Sequence, residues 1–102
     1  MFNIYTHKLA ASELDEIPDN LRGKMYALIE LLEDEGPHKA PYCRAFENGL
    51  FELRAGDQST ERALYCHAEG KVIHLLYAFD KKAGITPAAA RELAWQRLKD
   101  FE

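Results

Sequence analysis

A chain of 102 residues with 47% hydrophobic and 29% charged side chains has room for one core and a globular balance, which excludes disordered, fibrous and two-domain readings. The formal net charge of −4 argues against affinity for nucleic acid through bulk charge. No apolar run approaches the ~20 residues that span a bilayer, and the start of the chain turns acidic without an apolar segment before a cleavage-like site, so a single domain over residues 1–102 in the cytoplasm is expected.

Residues 2–6 (FNIYT) alternate and are rich in β-formers, which predicts a strand. A short helix is predicted over 10–17, with Ser12 near its start and Pro18 closing it. Asp19 or Asn20 then caps a longer helix whose apolar positions Leu21, Met25, Leu28, Ile29 and Leu32 follow the helical period. Gly36 and Pro37 stop it. From Cys43 the period becomes strand-like: 43–47 and 50–55 flank Asn48-Gly49, a tight-turn signal. A polar connection over 56–60 leads to strands at 62–67 and 71–79, of which the second is the most apolar stretch of the chain. Thr86-Pro87 reads as N-cap and first helical residue of a closing helix to about Phe101, with Ala90, Leu93, Ala94, Leu98 and Phe101 on one face. The plan is α+β: an N-terminal strand and helical hairpin, a mostly antiparallel sheet and a C-terminal helix, with the helices expected on one side of the sheet.

Charge is unevenly placed. Residues 1–39 carry four Lys/Arg against eight Asp/Glu, residues 40–87 six of each, and 88–102 three of each, so a local basic face is open beyond the first third. The chain has no GxGxxG, P-loop, HExxH or GxSxG. Cys43, Cys66, His67 and His74 follow no zinc spacing, so no metal or cofactor is expected and the two cysteines read as reduced, buried thiols.

What is left is polar side chains whose direction alternation sets. Glu52 and Arg54 share one strand face, Arg62 lies on the face of Leu64 and Cys66, and if the strands are neighbours the two arginines converge at one sheet end. The plainer alternative is that Glu52 pairs with an arginine in a solvated ionic face. Lys81-Lys82 follow the apolar strand directly, where function often sits, or they form a solubilising loop. Tyr65 offers an aromatic face for a base, or ordinary cross-strand packing. His74 is a proton-transfer candidate if it faces a cleft, although a histidine inside an apolar strand is more often simply packed.

Taken in order, Gly49-Leu50-Phe51-Glu52-Leu53-Arg54, then Arg62 with Tyr65, then His74-Leu75-Leu76-Tyr77-Ala78-Phe79-Asp80-Lys81-Lys82, then Thr86-Pro87 and an alanine-rich helix resemble the phage-derived, HigB-like branch of the RelE/ParE toxin superfamily. That family's pattern runs G-L-(W/F)-E-L-R, a basic residue before a Tyr-rich strand, L-L-H-x-F-x-K-K, T-P and a closing helix; the resemblance spans nearly the whole chain. Tyr77 stands where the family often has histidine, and Asp80 precedes the lysine pair.

The resemblance implies the toxin half of a type II toxin–antitoxin pair: a metal-independent endoribonuclease that cuts mRNA on the ribosome. Its catalytic set would fall on Arg62, Lys81, Lys82 and His74, with Arg54, Arg62, Tyr65 and Lys82 binding RNA. It also implies a helix-turn-helix, HigA-like antitoxin as partner. The alternatives are a ParE-like gyrase inhibitor and a non-catalytic phage-derived binding module.

Overall fold

The structure is a computed structural model and describes residues 1–37, 42–47, 49–56 and 59–101. The elements run β1 (Asn3–Thr6), α1 (Lys8–Asp15), α2 (Asp19–Glu35), β2 (Cys43–Glu47), β3 (Leu50–Arg54), β4 (Glu61–Ala68), β5 (Val72–Asp80), a 3₁₀ turn (Lys81–Ala83), α3 (Pro87–Leu98) and a second 3₁₀ turn (Lys99–Phe101). The expected order holds. The Asn48 half of the hairpin turn, His38 and part of the 56–60 connection lie outside the described residues.

The sheet order is β1-β5-β4-β3-β2, antiparallel throughout except that β1 lies parallel to β5. This puts the apolar β5 inside the sheet, as its composition predicts. Thr86 caps α3 by accepting from the Ala89 N–H, with Pro87 behind it. The other two caps differ from expectation. Asp19 is already helical and Pro18 takes the N-cap position of α2 without a side-chain bond. At α1 the cap is His7, whose Nδ1 accepts from the Leu9 N–H, so an imidazole does the work usually given to Ser or Asp. Gly36 ends α2 at φ 85°, and a Cβ there would lie 2.6 Å from the Phe2 ring, which only glycine avoids.

Alternation along β3, β4 and β5 sorts two cores onto opposite faces. Leu53, Ala63, Tyr65 and Leu75 pack with Leu14, Ile17, Met25 and Leu32 of the helical hairpin. Leu50, Leu64, Cys66 and Leu76 pack with Ala90 and Ala94 of α3. The helices therefore cover both faces, not one. The reason lies in strand composition: central strands apolar on both sides need a cover on each.

A bulge in β5 helps seat α3. Leu64 pairs with Tyr77 and Tyr65 with Leu75, which leaves Leu76 as the extra residue. Its carbonyl accepts from Arg97 Nη1 at 3.0 Å. The same guanidinium grips both oxygens of Glu13 on α1 at 2.7 Å and lies 5.0 Å over the Tyr77 ring. Arg91 with Glu47, and Asp100 with His7, add ties at the two ends of the helix.

Candidate functional site

On the α3 face, one end of the sheet gathers the basic residues of β2, β3 and β4. Arg54 and Arg62 are direct partners across β3 and β4, so they converge as alternation requires. Like charges directly opposite repel, and Glu52 compensates. Its carboxylate is 1% exposed, accepts from Arg44 Nε at 3.0 Å and stands 3.4 Å from Arg62 Nε. Glu52 thus does pair with an arginine, but the Glu52–Arg62 pair is buried rather than part of a solvated face, and it lies beside the converging Arg54.

Arg62 is itself buried, at 4% exposed. Its Nη1 donates to the carbonyls of Ser59 and Glu61 at 2.8 and 3.0 Å. Burial pulls its pKa down, Glu52 pushes back up, and Arg54 and Arg44 pull down again; a guanidinium nonetheless stays charged. Arg54 is half-buried and its Nε has no hydrogen-bond partner among the described residues, so this donor group is not fully used by them.

Arg44 enters the group because of a second bulge. A regular two-residue hairpin starting from the Glu47–Leu50 pair would set Arg44 opposite Leu53, facing the helical hairpin. Phe46 is extra, and the register shifts so that Arg44 meets Glu52. A one-residue slip turns a side chain to the other face, which is why the sequence pattern misses Arg44.

Next to Arg44 and Glu52 is a hollow of about 100 Å³, walled by Phe46, Phe79, Pro87 and Ala90 and lined also by Lys81. Lys82 lines a different groove, with Lys24 and Asn20 of α2. The 3₁₀ turn at Lys81–Ala83 advances about 120° per residue, so neighbouring lysines leave on different sides. Asp80 starts that turn by accepting from the Lys82 N–H at 2.9 Å. The Thr60 hydroxyl, then that N–H, hold its carboxyl below the usual range.

Two expected site residues lie elsewhere. Tyr65 is fully buried on the opposite face, stacked on Phe51 with its hydroxyl 3.0 Å from Cys43 Sγ. Burial, then that contact, push the phenol well above its ordinary pKa, and no base reaches the ring. His74 pairs with Cys66, not with the arginines. It lies five residues from Phe79, the partner of Arg62, or roughly 16 Å along an extended strand. Its ring packs 4.2 Å from that of Phe101, and burial lowers its pKa.

Arg44, Glu52 and Lys81 therefore line a small hollow, and Arg62, paired with Glu52, and its strand partner Arg54 stand behind them, an excess of positive charge at this end of the sheet. Such a group suits an anion with several oxygens, a phosphodiester above all. No cluster of three or more His, Cys, Asp or Glu suited to a metal occurs among the described residues, and no helix among them is long and apolar enough to cross a membrane.

The family described as "Phage derived protein Gp49-like (DUF891)" matches residues 12–99. Among solved structures, a chain of the archaeal RelE-RelB complex from Pyrococcus horikoshii OT3 is similar in fold, with a TM-score of 0.64 at 20% identity over 78% of this chain and 94% of that one. No curated protein matches.

Proposed function

The chain belongs to the phage-derived Gp49-like family, and from that premise we propose that it is the toxin half of a type II toxin–antitoxin pair, acting as a ribosome-dependent mRNA endoribonuclease of the HigB-like kind. The observation that carries this reading is that Arg44, Lys81 and Glu52 line one hollow, while Glu52 pairs with the buried Arg62, the strand partner of Arg54. Cleavage by the adjacent 2′-hydroxyl, whose proton passes to water, forms a bond from the 2′-oxygen to phosphorus and breaks that from phosphorus to the 5′-oxygen, which takes up a proton from water and leaves as a 5′-hydroxyl beside a 2′,3′-cyclic phosphate. Negative charge builds on the pentacoordinate centre between these events, and fixed cationic donors stabilise it.

The half-buried Arg54 and the exposed Lys81 are assigned to the phosphate. Arg62 is assigned to fixing Glu52 and the local field. Glu52, held between two guanidiniums, is a positioning residue for Arg44. Lys81 replaces Lys82 as the ammonium at the reacting phosphate, and His74 and Tyr65 have no part in the step. Mutual orientation of RNA and donors supplies much of the remaining acceleration.

An antitoxin partner follows from the same reading; the Pyrococcus structure is titled as a RelE-RelB complex. A helix-turn-helix, HigA-like antitoxin and a cytoplasmic site of action belong to this proposal. The test is to incubate purified protein with translating ribosomes and a reporter mRNA and to map 5′ ends. Cuts at the A site that vanish in Arg54→Ala support the enzyme. Intact mRNA together with inhibited DNA supercoiling would overturn it in favour of a gyrase inhibitor, and no effect on either would leave a binding module.

A further inference from the structure

The opposite sheet face, under the helical hairpin, ends in a hollow of about 300 Å³ at the α1–α2 turn. Glu13, Glu16, Glu61 and Asp80 line it with no basic residue, and Ile17 and Pro18 supply an apolar wall. Acidic residues at a surface are ordinary, and three of these are accounted for. Glu13 holds Arg97 and the Ala78 N–H, Asp80 accepts from Thr60 and Lys82, and Glu16 is exposed.

Glu61 is different. It is 6% exposed, yet among the described residues its carboxylate takes part in no hydrogen bond or ion pair. Its strand partner is Asp80, so two carboxylates stand side by side at the hollow's floor. Burial and then the Asp80 charge push the Glu61 carboxyl up. The cation next to it in sequence, Arg62, draws the Glu61 carboxyl only partly back down, its ion pair being with Glu52 on the other face. Lys24 and Lys82 line the adjoining hollow, which shares Pro18, Glu61 and Asp80 with the first, and they leave the α1 end acidic. Within the described residues only solvent in the hollow meets this carboxylate, which leaves its oxygens as acceptors for a cation.

We propose that this hollow receives the guanidinium of an arginine from a protein partner, with Glu61 and Asp80 as paired acceptors. Side chains directly opposite on neighbouring strands stand about 5 Å apart, a spacing that a planar fork of donors can bridge. The weak hydration of guanidinium suits a site walled by Ile17 and Pro18, where a strongly hydrated ammonium gains less. The inference is independent of the nuclease reading, since it uses the other face of the sheet.

The test is an amide NMR titration of the isotope-labelled full chain with N-acetylarginine amide at neutral pH and low salt. Saturable shifts at Glu61, Ala78 and Asp80 are expected, on the order of millimolar. N-acetyllysine amide and spermidine should bind several-fold more weakly. Glu61→Gln should weaken the arginine probe about tenfold, roughly 1.4 kcal/mol, and Asp80→Asn about threefold, whereas Glu92→Gln on the exposed side of α3 should leave it unchanged. Absence of saturable shifts overturns the proposal. So does binding of spermidine or magnesium as tight as that of arginine, or undiminished binding in both Glu61→Gln and Asp80→Asn.

Discussion

Replacing Arg62 with alanine removes the buried partner of Glu52, a carboxylate only 1% exposed. Breaking a buried ion pair from one side costs about 3–5 kcal/mol, because the remaining charge is left uncompensated. Arg44 still donates to Glu52, although its own side chain is 52% exposed, so the lower end, about 3 kcal/mol, is expected. For a domain of about 100 residues this lowers Tm by roughly 15 °C. Changing both partners, Glu52→Gln with Arg62→Met, removes both charges at similar volume and should return stability to within about 1 kcal/mol of the parent. Cleavage should be lost in both variants. Thermal melts followed by circular dichroism, beside the reporter-mRNA assay, separate the two effects. An Arg62→Ala protein that melts within about 3 °C of the parent would refute the reasoning, since Glu52 would then not depend on Arg62.

Three further outcomes follow from the geometry. Lys81→Ala, at the hollow, should lower cleavage by about 10²-fold, the usual cost of one transition-state donor, whereas Lys82→Ala should stay within about threefold; single-turnover rates decide between them. Arg97→Ala strands the partly buried Glu13 and frees the Leu76 carbonyl, so it should cost about 3 kcal/mol and first raise amide exchange in α3. The raised pKa of Glu61 means that the native state holds a proton which the unfolded chain has released. Its contribution is therefore present at acid pH and is lost as pH rises from about 4 through the raised value. Glu61→Gln should flatten that slope and raise stability at neutral pH, as read from urea midpoints across the interval.

Much of the fold was legible in the chain itself. The closing helix followed from Thr86-Pro87 and from Ala90, Leu93, Ala94, Leu98 and Phe101, all of which pack on the α3 side of the sheet. Strand boundaries moved by a residue or so, and the convergence of Arg54 with Arg62 came directly from alternation plus adjacency. The errors lie where local pattern meets a longer-range decision. Tyr65 alternates correctly, but alternation does not say which face a helix will cover. His74 sits in the right strand but at the wrong end of it, and strand position is set by pairing rather than by residue type.

Local sequence alone determined the order of helices and strands, which residues share a strand face, and that the net acidity lies in the first third. Those properties depend on backbone preferences and on side-chain periods of about 2 and 3.6 residues, which neighbours a few positions apart settle. Only the tertiary structure decided that Arg44 joins Glu52, that Lys81 and Lys82 part company, and that the Glu61 carboxylate opens onto a hollow with no partner among the described residues. Each depends on a bulge, a turn or a strand pairing whose register is fixed by packing between distant segments, and a single-residue slip there reverses the direction of a side chain.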